Sequence, residues 1–501
     1  MHLKWLVLPL AAWALHASDP VPTAQYDNAR TGANLHETVL TPASVNRTKF
    51  GKLFRLEVDG DIYTQPLYVP NVDIPGQGRH NVVFVATEHD SVYAFDADRA
   101  GAPLWHVNFL KEGVVPLRPN DVQCPFITPE IGITPTPVMD LETGTLYVLA
   151  RTKEGGGFFS GNAYMQRLHA LAITTGVEKF GGPVEIKASA GSKSFDPLRD
   201  NPRAALLLAN GNVYLTWASS CDVGTYHGWV MAYDARTLRQ KAVWNAAGDG
   251  FQSGIWQGDA GPAADRQGNV YVATGNGRFN AASGGHDYGD SAVKLGPDLS
   301  VRDYFTPFNQ GELNADDDDL GSGGPILIPP NLLAVGGKDH MLYLINRDQM
   351  GKYHAGDDSH AVQTIQLRGP IFGAPAWWNG GLYVLASNDG LREFKLEGGR
   401  LVPGAVNVER YIDPGATPTV SANGARDGIV WVIEQKGWRS PDRPAVLHAY
   451  EAVNIAHELY NSEQNGTHDR AGLVLRFSIP TVVNGRVYVG TKRGIDVYGL
   501  N

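Results

Sequence analysis

One pattern recurs along the 501 residues and leaves few architectures open. It is a β run rich in Val, Tyr and Leu, then a polar turn, then a second run ending in another turn. The copies read NVVFVATEHDSVYAFDAD (Asn81 to Asp98), TLYVLART with RLHALAITTG, NVYLTWASS with WVMAYDART, and NVYVATGNG with SAVKLGPD. They continue as LLAVGGKDHMLYLINRD, GLYVLASNDGLREFKLEGG, IVWVIEQ with VLHAYEA, and RVYVGTKRGIDVYGLN. A short strand precedes most copies and an outer apolar strand follows several, so each copy predicts a four-stranded sheet. Such a sheet cannot bury its faces alone and stacks against its neighbours. Roughly eight units predict an all-β chain folded as a single closed eight-bladed β-propeller.

The last copy reaches Asn501 after a third strand, while FGKLFRLEV (Phe50 to Val58) stands alone ahead of the first. This N-terminal strand is expected to complete the last blade, because closure removes an exposed sheet edge. The N-terminus MHLKWLVLPLAAWALHASDP carries a lysine, an apolar run from Trp5 to Leu15 and small residues at Ala17 and Ser18. It reads as a signal peptide cleaved near Ala17. The expected division is a signal peptide over 1–17, an extended segment over 18–49 and the propeller over 50–501. The product is expected to be exported, periplasmic or secreted. No later segment is long and apolar enough for a membrane span. A net charge of −10 without a Lys/Arg block argues against a nucleic-acid partner.

Only Cys124 and Cys221 are present. Two cysteines in an oxidising compartment either form one bridge or stay apart, and the sequence leaves both open. Without a Cys-x-x-Cys-His, no covalently attached haem is expected. The longest insertions fall at residues 110–133, 153–166, 276–291 and 306–324. In repeat folds such insertions build the binding surface. His169, His227, His286 and His448 lie in different copies without metal-ligand spacing, and most of them read as turn or blade-edge residues. No Gly-x-Ser-x-Gly elbow or phosphate loop is present.

Several segments carry a more specific pattern. ALAITTG and AYDART each precede an apolar or aromatic outer strand. TGNGRFN (274–280) sets an Asn between glycines, GIWQGDAGPAAD (254–265) carries a Trp, and NADDDDLGSGGP (314–325) carries four adjacent aspartates. GGKDHMLYLINRDQMG (336–351) follows. Together they resemble the repeats and loops of quinoprotein alcohol dehydrogenases, eight-bladed propellers that bind pyrroloquinoline quinone and usually Ca²⁺ on the ring axis. The resemblance covers most of the chain as architecture and a few loops in detail.

Matched residue by residue, the resemblance implies a site. Asn276 corresponds to a metal ligand, and an amide oxygen between glycines suits a hard cation. Trp256 corresponds to the indole floor under the quinone, a flat apolar surface for a planar cofactor. Asp319, with Asp318 next, corresponds to the base beside the metal that takes the alcohol proton. The same acidic run also reads as a solvated loop or a peripheral Ca²⁺ site. Lys338 corresponds to the lysine facing the quinone oxygens, where an ammonium stabilises developing negative charge.

There are departures. The family's adjacent Cys-Cys pair over the quinone is here the single Cys124. Its metal-binding Glu is not matched in register, and Asp222 is the nearby carboxylate. The Pro and Trp of the Asn loop are Gly277 and Phe279.

The implied activity is oxidation of an alcohol or sugar hydroxyl, dependent on pyrroloquinoline quinone and Ca²⁺, with a separate electron acceptor. The alternative is a non-catalytic propeller that binds a protein or glycan, as similar quinoprotein-like propellers do when they act as assembly scaffolds in the bacterial envelope. Fold alone does not choose between them.

Overall fold

Each repeat forms one antiparallel sheet, in chain order from the ring axis outwards, in a computed structural model that describes residues 19–155, 161–258 and 260–501. The expected signal peptide, 1–17, lies outside the described residues. Blade 1 is Leu67–Ile74, Gly78–Ala86, Ser91–Asp96 and Trp105–Asn108. Blades 2 to 7 begin with inner strands at Val138–Asp140, Leu207–Ala209, Ala263–Ala264, Ile326–Ile328, Ala376–Trp378 and Thr419–Asn423. Blade 8 supplies Thr481–Val483, Arg486–Thr491 and Gly494–Leu500.

Its fourth strand is Phe50–Glu57, antiparallel to Gly494–Leu500 with Phe50 opposite Leu500 and Glu57 opposite Gly494. The expected closure is present. Buried Asp496 reinforces it, receiving Lys52 at 2.5 Å and Arg55 at 2.8 Å. Phe50 sits fully buried against Trp431 of blade 7, with ring centroids 5.5 Å apart. Burying that ring contributes roughly 1.5–3 kcal/mol to the closure.

Side-chain alternation explains why the strands read as nearly continuous apolar runs. In NVVFVA, Val82 and Phe84 pack towards Leu146 and Val148 of blade 2. Val83 and Val85 point the other way, towards Tyr488 and Val497 of blade 8. Successive residues face opposite sides of a strand, and here both sides are covered by neighbouring blades. One apolar cluster of this kind fills each gap of the ring.

The segment ahead of Phe50 has a role that its composition does not announce. It runs along the inner strand of every blade. Backbone groups of Val21, Pro22, Asn28, Ala29, Thr31 and Gly32 bond Tyr68, Met139, Ala264, Leu327, Trp377 and Val420. The Asn28 and Asn34 side-chain amides donate to Leu208 O and Val482 O, which completes the eight blades. Arg30, fully buried, donates to Pro262 O, Ala24 O, Leu206 O and Thr23 Oγ1 at 2.7–3.0 Å. The strap satisfies inner-strand groups that no sheet neighbour can reach.

Strand direction decides what faces the other end. In a four-stranded antiparallel blade, the loop between strands 2 and 3 and the connection to the next blade emerge at the same end. The two short helices, Pro119–Val122 and Gln310–Asp316, lie in such connections. No helix among the described residues is long and apolar enough to cross a membrane.

Candidate functional site

A cavity of ≈ 240 Å³ opens among these loops. Blades 3 to 5 bring Asp222, Trp256, Asp319 and Lys338 to it, and blades 7 and 8 bring Arg439, Arg476 and Phe477. In a ring of eight, blades 3 and 4 lie across the axis from blades 7 and 8. The site therefore has two walls of different charge.

The acidic wall is a connected network. Lys338 Nζ lies 2.5 Å from Asp319 Oδ2 and 3.1 Å from Asp317 Oδ2. The other Asp319 oxygen accepts the Asn276 backbone N–H at 2.8 Å, and the Asn276 amide donates to Asp317. Asp319 is 2% exposed. Burial pushes its carboxyl up to about 6, against the lowering pull of Lys338 and the Asn276 N–H. Burial also acts to lower the Lys338 ammonium, but the Asp319 and Asp317 charges outweigh it and hold Lys338 above the usual lysine range. Burial and pairing pull each group in opposite directions, and burial wins at Asp319 while pairing wins at Lys338.

The glycines flanking Asn276 have a steric reason. A Cβ on Gly275 would stand 1.9 Å from Asp319 Oδ1 and 3.1 Å from Trp256 Cδ1. A Cβ on Gly277 would stand 2.2 Å from Ser253 Oγ. Only glycine lets this turn approach the carboxylate so closely.

The structure brings together all but one of the residues singled out from sequence. Asp319, Lys338, Trp256, Asp222 and Cys124 line the cavity, and Asn276 stands behind Asp319. Asp318 is not among the lining residues. Asp222 is exposed, and its Oδ1 accepts from Ser219 and the Tyr226 hydroxyl. Its charge adds to the upward push on Asp319.

Cys124 and Cys221, 97 residues apart, form a disulfide with Cα atoms 5.6 Å apart. The bridge ties the connection after blade 1 to the 2–3 loop of blade 3, over the cavity. Val122, Ile127 and Ile131 pack around it.

Two unpaired polar atoms test whether a cofactor and a cation suit these residues. Asn276 Oδ1 is buried with no hydrogen-bond partner among the described residues, and so is Trp256 Nε1. An unpaired buried acceptor beside a carboxylate is what a hard cation would satisfy. The donor set fits Ca²⁺, and the indole, the bridge and the Lys338 ammonium fit a planar acceptor with polar edges.

Sequence reading missed the opposite wall. Arg203, Arg439 and Arg476 belong to no motif, yet each lies in a 2–3 loop or a blade connection. Blade register was the signal that could have found them. Two histidines also differ from expectation: His169 and His448 are buried strand residues, not turn or edge positions. Each faces inward because a carboxylate partners it, Glu178 for His169 and Glu458 for His448. The glutamates around His448 outweigh burial and raise its imidazole to about 9.

No protein-family model and no curated protein matches the sequence. Solved structures do. The quinohemoprotein alcohol dehydrogenase ADHIIG from Pseudomonas putida HK5 superposes with a TM-score of 0.59 at 14% identity, over 96% of this chain and 80% of that one. A europium-containing methanol dehydrogenase gives 0.59 at 13% identity, over 96% and 98%. BamB from Moraxella catarrhalis gives 0.51 at 13% identity, over 90% and 97%. This likeness shows the fold: an eight-bladed β-propeller of the kind these two dehydrogenases share with BamB, widely diverged from each in sequence. The same fold includes the BamB neighbour, so the likeness does not carry an activity with it.

Proposed function

We propose that the chain is an exported dehydrogenase that oxidises an alcohol or sugar hydroxyl using pyrroloquinoline quinone and Ca²⁺. The observation that carries this reading is the Asn276–Asp319–Lys338 network on one wall of an axial cavity, beside Trp256 and the Cys124–Cys221 bridge. Asn276, Asp319 and Asp222 would hold the cation. Trp256, Lys338 and the bridge at Cys124 would hold the quinone. When bound, the quinone supplies the two-electron acceptor.

The protein's part is positioning and proton handling. Asp319, raised to about 6, is ionised at neutral pH and more basic than an ordinary aspartate, so it is suited to take a hydroxyl proton. Lys338 remains charged and stabilises negative charge that develops nearby. Asp319 is buried and Lys338 largely so, which strengthens both effects. Export follows the N-terminal signal pattern, and electrons would leave to a separate acceptor.

A second reading has its own support. Lys338 already neutralises Asp319, and the loop face could instead bind a protein or glycan without catalysis. Titration of metal-free protein with quinone and Ca²⁺, followed by absorbance and melting, separates the two. A ligand at a hundred times its Kd stabilises by about 2.7 kcal/mol. No melting shift, and no dye reduction across an alcohol and sugar panel, would leave the binding protein.

A further inference from the structure

The wall opposite Asp319 concentrates positive charge where ordinary packing would avoid it. Arg476 Cζ lies 4.8 Å, 4.6 Å and 4.3 Å from the ring centroids of Phe126, Trp438 and Phe477. Arg439 shares the first two rings, at 5.6 Å and 4.7 Å, and Arg203 sits over Phe477 at 4.5 Å. Three guanidiniums thus interleave with three rings at one side of the cavity. Asp413 is the lining carboxylate on that side.

Like charges this close are costly. Arg476 is lowered to about 9, first by burial and next by Arg203, with Arg439 adding to the effect. Its Nε is buried with no hydrogen-bond partner among the described residues. Cation–π contact offsets part of the cost but leaves that donor unmet. A carboxylate would satisfy it, since the guanidinium fork matches two oxygens at once.

The rings narrow the choice further. Phe126 is 37% exposed and Trp438 is partly exposed, so ring surface remains open at the mouth. Such surface takes an apolar ring face, whereas a small inorganic anion has no use for it. Across the cavity, Asp222, Asp317 and Asp319 offer acceptors for hydroxyl protons and would repel a second anionic group.

We propose that the axial cavity takes a carboxylate-bearing sugar of the uronic-acid class. Its carboxylate meets Arg439 and Arg476, its ring lies on Phe126 and Trp438, and a hydroxyl points towards Asp319 and Lys338. This rests on the reading above only in treating the Asp319 end as the place where a hydroxyl is handled. The basic wall stands independently of the quinone.

The test uses the full secreted chain without quinone, titrated calorimetrically with glucuronate, glucose, acetate and inorganic phosphate. Glucuronate is expected to bind at least about tenfold more tightly than the other three, with affinity falling as salt rises. Arg439→Gln, at an exposed position, is expected to weaken glucuronate by about tenfold while glucose affinity changes far less. Arg476→Met supplies a second variant. Glucose binding as tightly as glucuronate, or Arg439→Gln without effect, would overturn the proposal. So would phosphate or acetate matching the uronate. The quinone and Ca²⁺ melting response is measured alongside. Uronate binding without that response overturns only the dehydrogenase reading, and the response without uronate binding overturns only this one.

Discussion

Lys338 Nζ lies 2.5 Å from Asp319 Oδ2, while Asp319 Oδ1 accepts the Asn276 N–H at 2.8 Å. Both oxygens of the proposed base are therefore held, one by a charge and one by the backbone of the proposed cation-binding turn. This fixes the carboxylate towards the cavity without neutralising it by protonation, and it makes the three residues one unit.

Asp319→Asn keeps an acceptor for the Asn276 N–H but removes the charge and the proton acceptor. Dye-linked oxidation is expected to fall by about 10²–10⁴-fold, with the melting response to quinone and Ca²⁺ largely retained. Lys338→Ala is expected to weaken both and to cost about 3–5 kcal/mol in stability, because Asp319 is left buried and unpaired. Steady-state rates and thermal melts check both variants. Full activity in Asp319→Asn would move the base elsewhere.

Gly275→Ala tests the turn itself. The added methyl meets Asp319 Oδ1, so the carboxylate must leave its place. Loss of activity comparable to Asp319→Asn is expected, with a stability cost of about 1–3 kcal/mol. Undiminished dye-linked oxidation in Gly275→Ala would show that the position of Asp319 is not critical.

The bridge gives a third expectation. Replacing Cys124 and Cys221 together by Ser should cost about 2–4 kcal/mol in denaturant unfolding, since the bridge closes a long loop. Thiol labelling of denatured, unreduced wild-type protein should find no free cysteine. Any free thiol there would contradict the bridge.

Glu88 offers a pH test away from the cavity. It is 1% exposed, accepts from Gly132 N and Thr134 Oγ1, and burial raises its carboxyl from 4.5 to about 7. The native state therefore binds this proton more tightly than the unfolded chain does. Its favourable contribution is complete below pH 4.5 and is lost as pH rises through 7. Glu88→Gln should match wild type near pH 4 and exceed it at pH 8 by on the order of 3 kcal/mol. Denaturation at the two values decides, and a variant less stable at pH 8 would contradict the assignment.

Arg30→Met tests the strap. It removes the donors that serve three buried carbonyls and Thr23. A loss of about 3–5 kcal/mol in urea unfolding is expected, because the acceptors are left without partners. An unchanged unfolding midpoint would mean that the strap does not hold the ring.

Much of this molecule can be read locally. Alternating runs such as NVYLTWA report a strand because side chains on adjacent residues face opposite sides. Eight such pairs report a ring because no blade can bury itself. Asn276, Asp319, Trp256 and Lys338 were legible because each sits in a short segment whose turn residues travel with it. The strap from Val21 to Asn34 was not legible. Its bonds go to backbone groups of eight strands, and backbone leaves no mark in a sequence.

The sequence by itself determined the blade count, the partner of Phe50–Glu57 and the residues of the acidic wall, all of which depend on periodicity or on neighbouring residues. Tertiary structure alone decided that Cys124 reaches Cys221, that Arg203, Arg439 and Arg476 share one wall, and that Lys338 pairs with Asp319. Those relations join loops up to most of the chain apart. They exist because the 2–3 loops and blade connections of neighbouring and opposite blades alike emerge at one end of a common axis, where distance along the chain no longer limits distance in space.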